Sequence, residues 1–290
     1  MLDLIINPTA GGKRGKKIRK TVAMIENRLK ELNVQYKIHV TTYKGHAKTI
    51  TQTIIEKGAT DVIVVGGDGT LHEVINGFCN FERANLGLIP SGTGNDFATA
   101  AGIPLDPIKA LDIILSNAPK YTDFMQMPTV RGINVIGTGI DVDVLKKYES
   151  LKKKNKFGYT KCLIKTLFKF DYTEFDAVVD GKEDSYRSFI ACVANGNVYG
   201  GGIPICPVAD PTDNKLDFLA VRAMHKIGII NAFIKLKAGK VLKLKQAVHS
   251  TCEHVKISTK TPCTVNVDGE LYNNVPFDVK IVSNTLKMYR

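Results

Sequence analysis

The chain has 290 residues, enough for two domains or one large one, and 44% of them are hydrophobic, an ordinary share for a folded globular protein. Its net charge of +12 favours an anionic partner, a nucleic acid or an acidic membrane surface, and says nothing of fold. Six cysteines without a Cys-x-x-Cys pair match neither a zinc-site spacing nor a disulfide framework, and they point to a reducing cytoplasm.

The opening run, Met1 to Pro8, is too short and too acidic for a signal peptide. No apolar run reaches the length of a membrane span, so any membrane contact is expected from the side. Residues 2–6 read as a strand, and 16–32 as a helix through Ile18, Val22, Ile25 and Leu29. Strand 35–40 and helix 47–57 follow. Residues 62–65 form a short β-branched run, the mark of a buried parallel strand, and 71–78 the next helix. Strand 86–89 comes next. Asp106-Pro107 then gives an N-cap with proline at the first helical position, opening a helix to residue 116. This alternation predicts an α/β domain over 1–125, a parallel sheet with helices on both faces. Beyond it strand-like runs dominate, at 132–136, 175–179, 188–194, 216–221, 254–258, 264–267 and 277–282. Turn signals such as Asp180-Gly181 and Asp268-Gly269 punctuate them. A mostly antiparallel β-sandwich over 126–282 is predicted, with helical segments near 151–170 and 227–238. Cys79, Cys162, Cys192 and Cys252 sit in or beside patterned segments and read as buried thiols.

The motifs stand where these strands end. Gly66-Gly67-Asp68-Gly69-Thr70 joins a strand to a helix, so its free N–H groups attract phosphate, and glycine lets the phosphate approach. A carboxylate within a phosphate site implies a cation or a reacting hydroxyl beside it. A Walker A loop is absent, and His72 stands where a dinucleotide fingerprint needs its last glycine. Three further polar loops follow strands: Asn7-Pro8 leading to Gly11-Gly12-Lys13, then Thr42-Tyr43-Lys44-Gly45-His46-Ala47, then Pro90-Ser91-Gly92-Thr93-Gly94-Asn95-Asp96-Phe97. In an open α/β sheet, ligands bind outside the carboxyl ends of the strands. Structural readings compete at two places. Thr70-x-x-Glu73 is also a capping box, and Asp268-Gly269 is also a hairpin turn.

These motifs, in this order, resemble the diacylglycerol kinase catalytic family, soluble bacterial lipid kinases related to sphingosine kinases and more distantly to NAD kinases. The Pro90–Phe97 loop carries the lipid branch. The likeness continues through Asn134-x-x-Gly137-x-Gly139-x-Asp141, Asn195-Gly196, Gly200-Gly201-Gly202 and Val267-Asp268-Gly269-Glu270. The resemblance implies an N-terminal nucleotide domain, a C-terminal β-sandwich and a cleft between them, with residues 283–290 packing back on the first domain. It implies ATP and Mg2+ as cofactors. The nucleotide would be held by Asn7, Lys13, Thr42, Gly45, His46, Gly66, Gly67, Gly69, Thr70, Glu73, Ser91, Gly92, Thr93, Asn95 and Asp96. Asp68 would lie near the transferring phosphate, and Glu270 would take the proton of the lipid hydroxyl as general base, facing Asp68 across the cleft. Asp213 and Asp217 would supply oxygens to a structural magnesium, in a segment where Asn214 replaces the family's usual glycine. Asparagine tolerates the left-handed backbone such a turn needs. His72, His225, His249 and His254 lack ligand spacing and read as surface or packing residues.

The acceptor implied is diacylglycerol, with phosphatidylglycerol, a monoacylglycerol, a polyprenol or a sphingoid base as alternatives. An NAD kinase-like enzyme and a non-catalytic protein that binds nucleotide and membrane are the competing classes. Lysines interleaved with apolar residues over 146–169, and a second cluster at Lys235, Lys237, Lys240, Lys243 and Lys245, suit an anionic membrane surface. A solvated helix face is the plainer reading. No nucleic-acid recognition motif is present. The expected place is the cytoplasmic face of the membrane, and the oligomeric state, monomer or homodimer, is left open by the sequence.

Overall fold

A computed structural model describes residues 1–10, 15–151, 156–167, 170, 172–260 and 263–290. The chain forms two units, Met1–Asp123 with Ser283–Arg290, and Phe124–Val282.

The first unit runs β1 (Leu2–Ile6), α1 (Lys16–Glu31), β2 (Tyr36–Val40), α2 (His46–Glu56), β3 (Asp61–Gly66), α3 (Asp68–Gly77), β4 (Asn85–Pro90), α4 (Asp96–Ala100), α5 (Pro107–Ser116) and the start of β5 (Lys120–Gln126). Its sheet is parallel in the order β2-β1-β3-β4. Val62, Ile63, Val64 and Val65 are fully buried, as a run apolar on both faces requires. From β1 the chain steps one way to β2, then the other way to β3 and β4. Right-handed crossovers therefore put α1 on one face and α2 and α3 on the other. Helix α1 packs against α5, and α2 against α3. Helix α5 starts as its sequence indicates, with Asp106 accepting the Ile108 and Lys109 N–H groups at 3.0 Å and Pro107 in the first turn.

The second unit adds β6 (Arg131–Gly132), β7 (Val135–Gly139), α6 (Ile140–Glu149), α7 (Lys156–Leu167), β8 (Thr173–Val179), β9 (Lys182–Ala194), β10 (Leu216–Arg222), α8 (Lys226–Lys237), β11 (Ala247–Cys252), β12 (His254–Thr259), β13 (Thr264–Val267), β14 (Glu270–Asn273) and β15 (Phe277–Met288). Its pairings are antiparallel, forming a β-sandwich. Alternation along β9 and β10 feeds two cores. Ala191, Val193, Phe218 and Ala220 enter the interior of the sandwich; Ile190, Cys192, Leu219 and Val221 pack toward the helices.

Several elements differ from expectation. The helix predicted near 151–170 is α7, a second helix that was not predicted, α6, precedes it, and residues 152–155 lie outside the described residues. Residues 132–136 are split between β6 and β7. The run expected at 277–282 continues to Met288, which pairs in parallel with Leu86 of β4 and carries the chain's end into the first unit. Cys79 is exposed, because it falls beyond the end of α3. Cys162, Cys192 and Cys252 are buried, and so is Cys206.

Candidate functional site

The four polar loops leave the carboxyl ends of β1, β2, β3 and β4. Sheet order reverses between β1 and β3, the place where an open α/β sheet offers a crevice. Asn7 and the 66–70 loop flank that point and are joined: Asn7 Nδ2 donates to Thr70 Oγ1 at 3.2 Å. Asn7 Oδ1 accepts from the Thr9 N–H at 3.0 Å and the Thr9 hydroxyl at 2.8 Å. Gly11, Gly12 and Lys13 lie outside the described residues.

The loops after β3 and β4 touch through glycine. A Cβ at Gly92 would stand 2.5 Å from the Gly67 Cα, and one at Gly94 would stand 2.9 Å from Asp68 Oδ2. Side chains are excluded at this interlock by space alone. Ser91 N–H donates to the Gly66 carbonyl at 2.7 Å, and its buried hydroxyl has no hydrogen-bond partner among the described residues. Asn95 holds the loop shut. Its Oδ1 accepts the Gly92 N–H at 2.8 Å while its backbone takes φ 57°. Lys17 reaches in from α1, its Nζ 3.4 Å from the Gly92 carbonyl. Thr93 is exposed on its loop, and Gly69 is exposed in the first turn of α3.

Asp68 stands at the centre of this arrangement. Its Oδ2 accepts the Asn95 N–H at 2.8 Å and its Oδ1 the Phe97 N–H at 3.2 Å, so it caps α4 from another helix. Burial first, then the neighbouring charge of Asp96, push its carboxyl up to about 6. Two carboxylates this close gain from a cation placed between them and a phosphate.

The capping box does not form. Helix α3 begins at Asp68 after Gly67, whose carbonyl accepts both the Thr70 and Leu71 N–H groups at 3.0 Å, so Thr70 is already inside the first turn. Glu73 reaches instead to α2, where Oε1 accepts the Gly45 N–H at 2.8 Å and Oε2 the Ala47 N–H at 3.0 Å. It positions that helix start. His46 Nδ1 accepts the Thr42 N–H at 3.1 Å, which leaves Nε2 to carry the proton. The ring is stacked on exposed Tyr43, with centroids 4.4 Å apart and planes within 10°.

In the second unit, Glu270 opens β14 and is half-buried. The hairpin reading of Asp268-Gly269 holds: φ is 53° and 92°, and Val267 pairs with Glu270. The turn is also anchored. Asp268 Oδ2 accepts the Ile133 N–H at 2.8 Å, and Oδ1 those of Asn134 at 2.9 Å and Val135 at 3.0 Å. Asp141 is a buried carboxyl whose Oδ2 accepts from Asn266 Nδ2 at 3.2 Å and whose Oδ1 has no hydrogen-bond partner among the described residues. Burial pushes it up to about 7. The motif containing Asp141 is visible in the sequence, but its burial is not.

Asn214 takes φ 62°, so the turn survives without its glycine. Asp213 Oδ1 accepts the Lys215 N–H at 3.0 Å, and burial, followed by the charges of Asp210 and Asp217, raises its carboxyl. Carboxylate oxygens are the donors magnesium takes. Asp217 fits it less well: Oδ1 lies 2.6 Å from His249 Nε2, beside the buried Cys206, and nitrogen and sulfur are not magnesium's donors. His249, which is exposed, and the part-buried His254 are each paired to a carboxylate, of Asp217 and Asp278.

Two family models match. The diacylglycerol kinase catalytic domain covers residues 2–127, and the YegS C-terminal NAD kinase beta sandwich-like domain covers 134–290. A Xanthomonas campestris protein named "Probable lipid kinase YegS-like" is 30% identical over 285 residues, covering 94% of this chain and 91% of its own. A diacylglycerol kinase of Bacillus subtilis is 26% identical, over 94% of this chain and 90% of its own. The crystal structure of a diacylglycerol kinase from Bacillus anthracis shares the fold, with a TM-score of 0.71 and 22% identity over 99% of this chain and 96% of its own.

Proposed function

The chain belongs to the diacylglycerol kinase family of lipid kinases, and from that premise we propose that it transfers the γ-phosphoryl group of ATP to the hydroxyl of diacylglycerol. The observation that carries the reading is the interlock of the glycine loops after β3 and β4, beside the switch point, with Asp68 set between them. Backbone N–H groups and helix starts there would cradle the phosphates. Exposed Tyr43, stacked on His46, offers a flat platform to a purine base. Magnesium would supply charge neutralisation between phosphate oxygens; Asp68, with Asp96 beside it, would hold the ion or its waters. Asp213 is the better-suited carboxylate for a structural ion.

In the reaction the acceptor oxygen bonds to the γ-phosphorus, the bond to the bridging oxygen breaks, and ADP leaves. Glu270 takes the hydroxyl proton. For the acyl chains the second unit has an apolar cavity lined by Ile140, Leu163, Phe189, Tyr199, Phe233 and Leu236. Its free volume is about 30 Å³, so an acyl chain would have to part its walls to enter. A polar acceptor such as a dinucleotide has no use for it.

The test is transfer of labelled phosphate from ATP to diacylglycerol in mixed micelles. Glu270→Gln is expected to lower turnover by about 10²–10⁴-fold, the usual worth of a general base. Asp68→Asn is expected to abolish transfer. Full transfer in both variants would sink the assignment.

A further inference from the structure

Helix α8 is apolar on two sides. Ile229, Ala232, Phe233 and Leu236 recur at helical spacing and pack against the core beneath the helix. On the outer side Ile230 and Ile234, one turn apart, are 48% and 61% exposed. A helix that only covers a core carries polar residues there. Helix α7 repeats the arrangement: Leu163 lines the same cavity, while Ile164 is exposed between exposed Lys161 and Lys165.

Charge follows the same surface. Residues 223–252 contain six lysines and no Asp or Glu. Lys237, Lys240, Lys243 and Lys245 are exposed, and Lys235 Nζ donates to the Lys243 carbonyl at 2.8 Å, tying the end of α8 to the short 3-10 turn Val241–Lys243. An anionic bilayer is the partner this chemistry fits. Isoleucine side chains enter the acyl boundary, and lysine stems lie along it with their ammonium groups at headgroup level.

We propose that the outer face of α8, with Ile164 of α7, docks the chain on an anionic lipid bilayer. The two helices also wall the apolar cavity, so docking sets those walls against the lipid that would fill it. The use of the cavity rests on the lipid-kinase reading; the docking stands on the exposed isoleucines and the carboxylate-free lysine segment. The test is co-sedimentation of the full chain with vesicles of phosphatidylcholine alone or mixed with phosphatidylglycerol. Wild type is expected to bind the mixed vesicles and to release with added salt. Ile230→Asn/Ile234→Asn is expected to lower partitioning about tenfold or more, and Lys237→Glu/Lys240→Glu to remove the preference for anionic lipid, with unchanged thermal midpoints. Phosphorylation of a short-chain, monomerically dispersed diacylglycerol is expected to be the same in wild type and variants. Binding of Ile230→Asn/Ile234→Asn equal to wild type overturns the proposal. So does a wild-type dimer in vesicle-free solution that this variant splits, since a second copy would then cover the face. Loss of vesicle binding with soluble-substrate turnover intact supports docking. Absence of turnover in wild type would sink the kinase reading and leave docking standing.

Discussion

Asp141 shows how one buried residue fixes a measurable property. Its carboxyl titrates at about 7, against an ordinary value near 3.8, because burial disfavours the charge. Between those values the folded chain holds a proton that the unfolded chain has lost. Stability from this group therefore falls as pH rises through that window, and the penalty is complete above the folded value. Asp141→Asn removes the titration and keeps an oxygen for Asn266 Nδ2. The variant's thermal midpoint is expected to match wild type near about pH 4 and to exceed it increasingly up to about pH 8. A difference that does not change with pH would show that the carboxyl is not titrating in that range. Asp68 differs in kind. Two backbone N–H groups hold its charged form, so it stays mostly ionised at neutral pH despite its burial. Its identity was legible in the sequence because the strand, the glycines and the carboxylate are contiguous. The role of Glu73 was not, since its partners Gly45 and Ala47 lie on another helix and only folding brings them together.

At the scale of elements, the strand that closes the chain does the most with the fewest residues. Met288 joins β4, the Tyr289 N–H donates to the Leu86 carbonyl at 2.9 Å, and the Tyr289 hydroxyl donates to Asp61 Oδ1 at 2.5 Å. Arg290 bonds the Thr122 hydroxyl at 3.0 Å and the Tyr121 carbonyl at 2.8 Å. A hydrogen bond to a charged group contributes about 1.5–3 kcal/mol, and partial exposure at both ends puts Tyr289→Phe toward the lower figure. That variant is expected to lower the thermal midpoint by a few degrees, and deletion of 287–290 to lower it further. An unchanged midpoint on deletion would mean that the tail adds nothing to the first unit. The continuation of β15 past residue 282 is hidden in the sequence, because Ser283-Asn284-Thr285 reads as a break. Helix α6 is hidden for the opposite reason. Ile140, Val142 and Val144 are β-branched, yet packing against α7 holds them helical. Elements with one strong period, such as α1, β3 and α5, are legible to within a residue or two at each end.

For the whole molecule, the candidate chemistry is divided between the two units. Every described nucleotide candidate lies within Met1–Asp123, while Glu270, Asp141 and the apolar cavity lie within Phe124–Val282. A base that only accepts the acceptor's proton has no part in holding ATP, and an interaction made only in the transition state lowers turnover without changing ground-state binding. Glu270→Gln is therefore expected to bind Mg2+-ATP as wild type does. Hydrogen exchange with a non-hydrolysable analogue should show the same new protection in both proteins, at the loops over 42–47, 66–70 and 91–96. At ligand about a hundredfold over Kd the linkage is worth about 2.7 kcal/mol, roughly a hundredfold slowing wherever exchange runs through opening that releases the nucleotide. Asp68→Asn should lose that protection, since the carboxylate that joins both loops is altered. If Glu270→Gln instead weakens nucleotide binding tenfold, Glu270 belongs to the nucleotide site, and the proton must leave by another group.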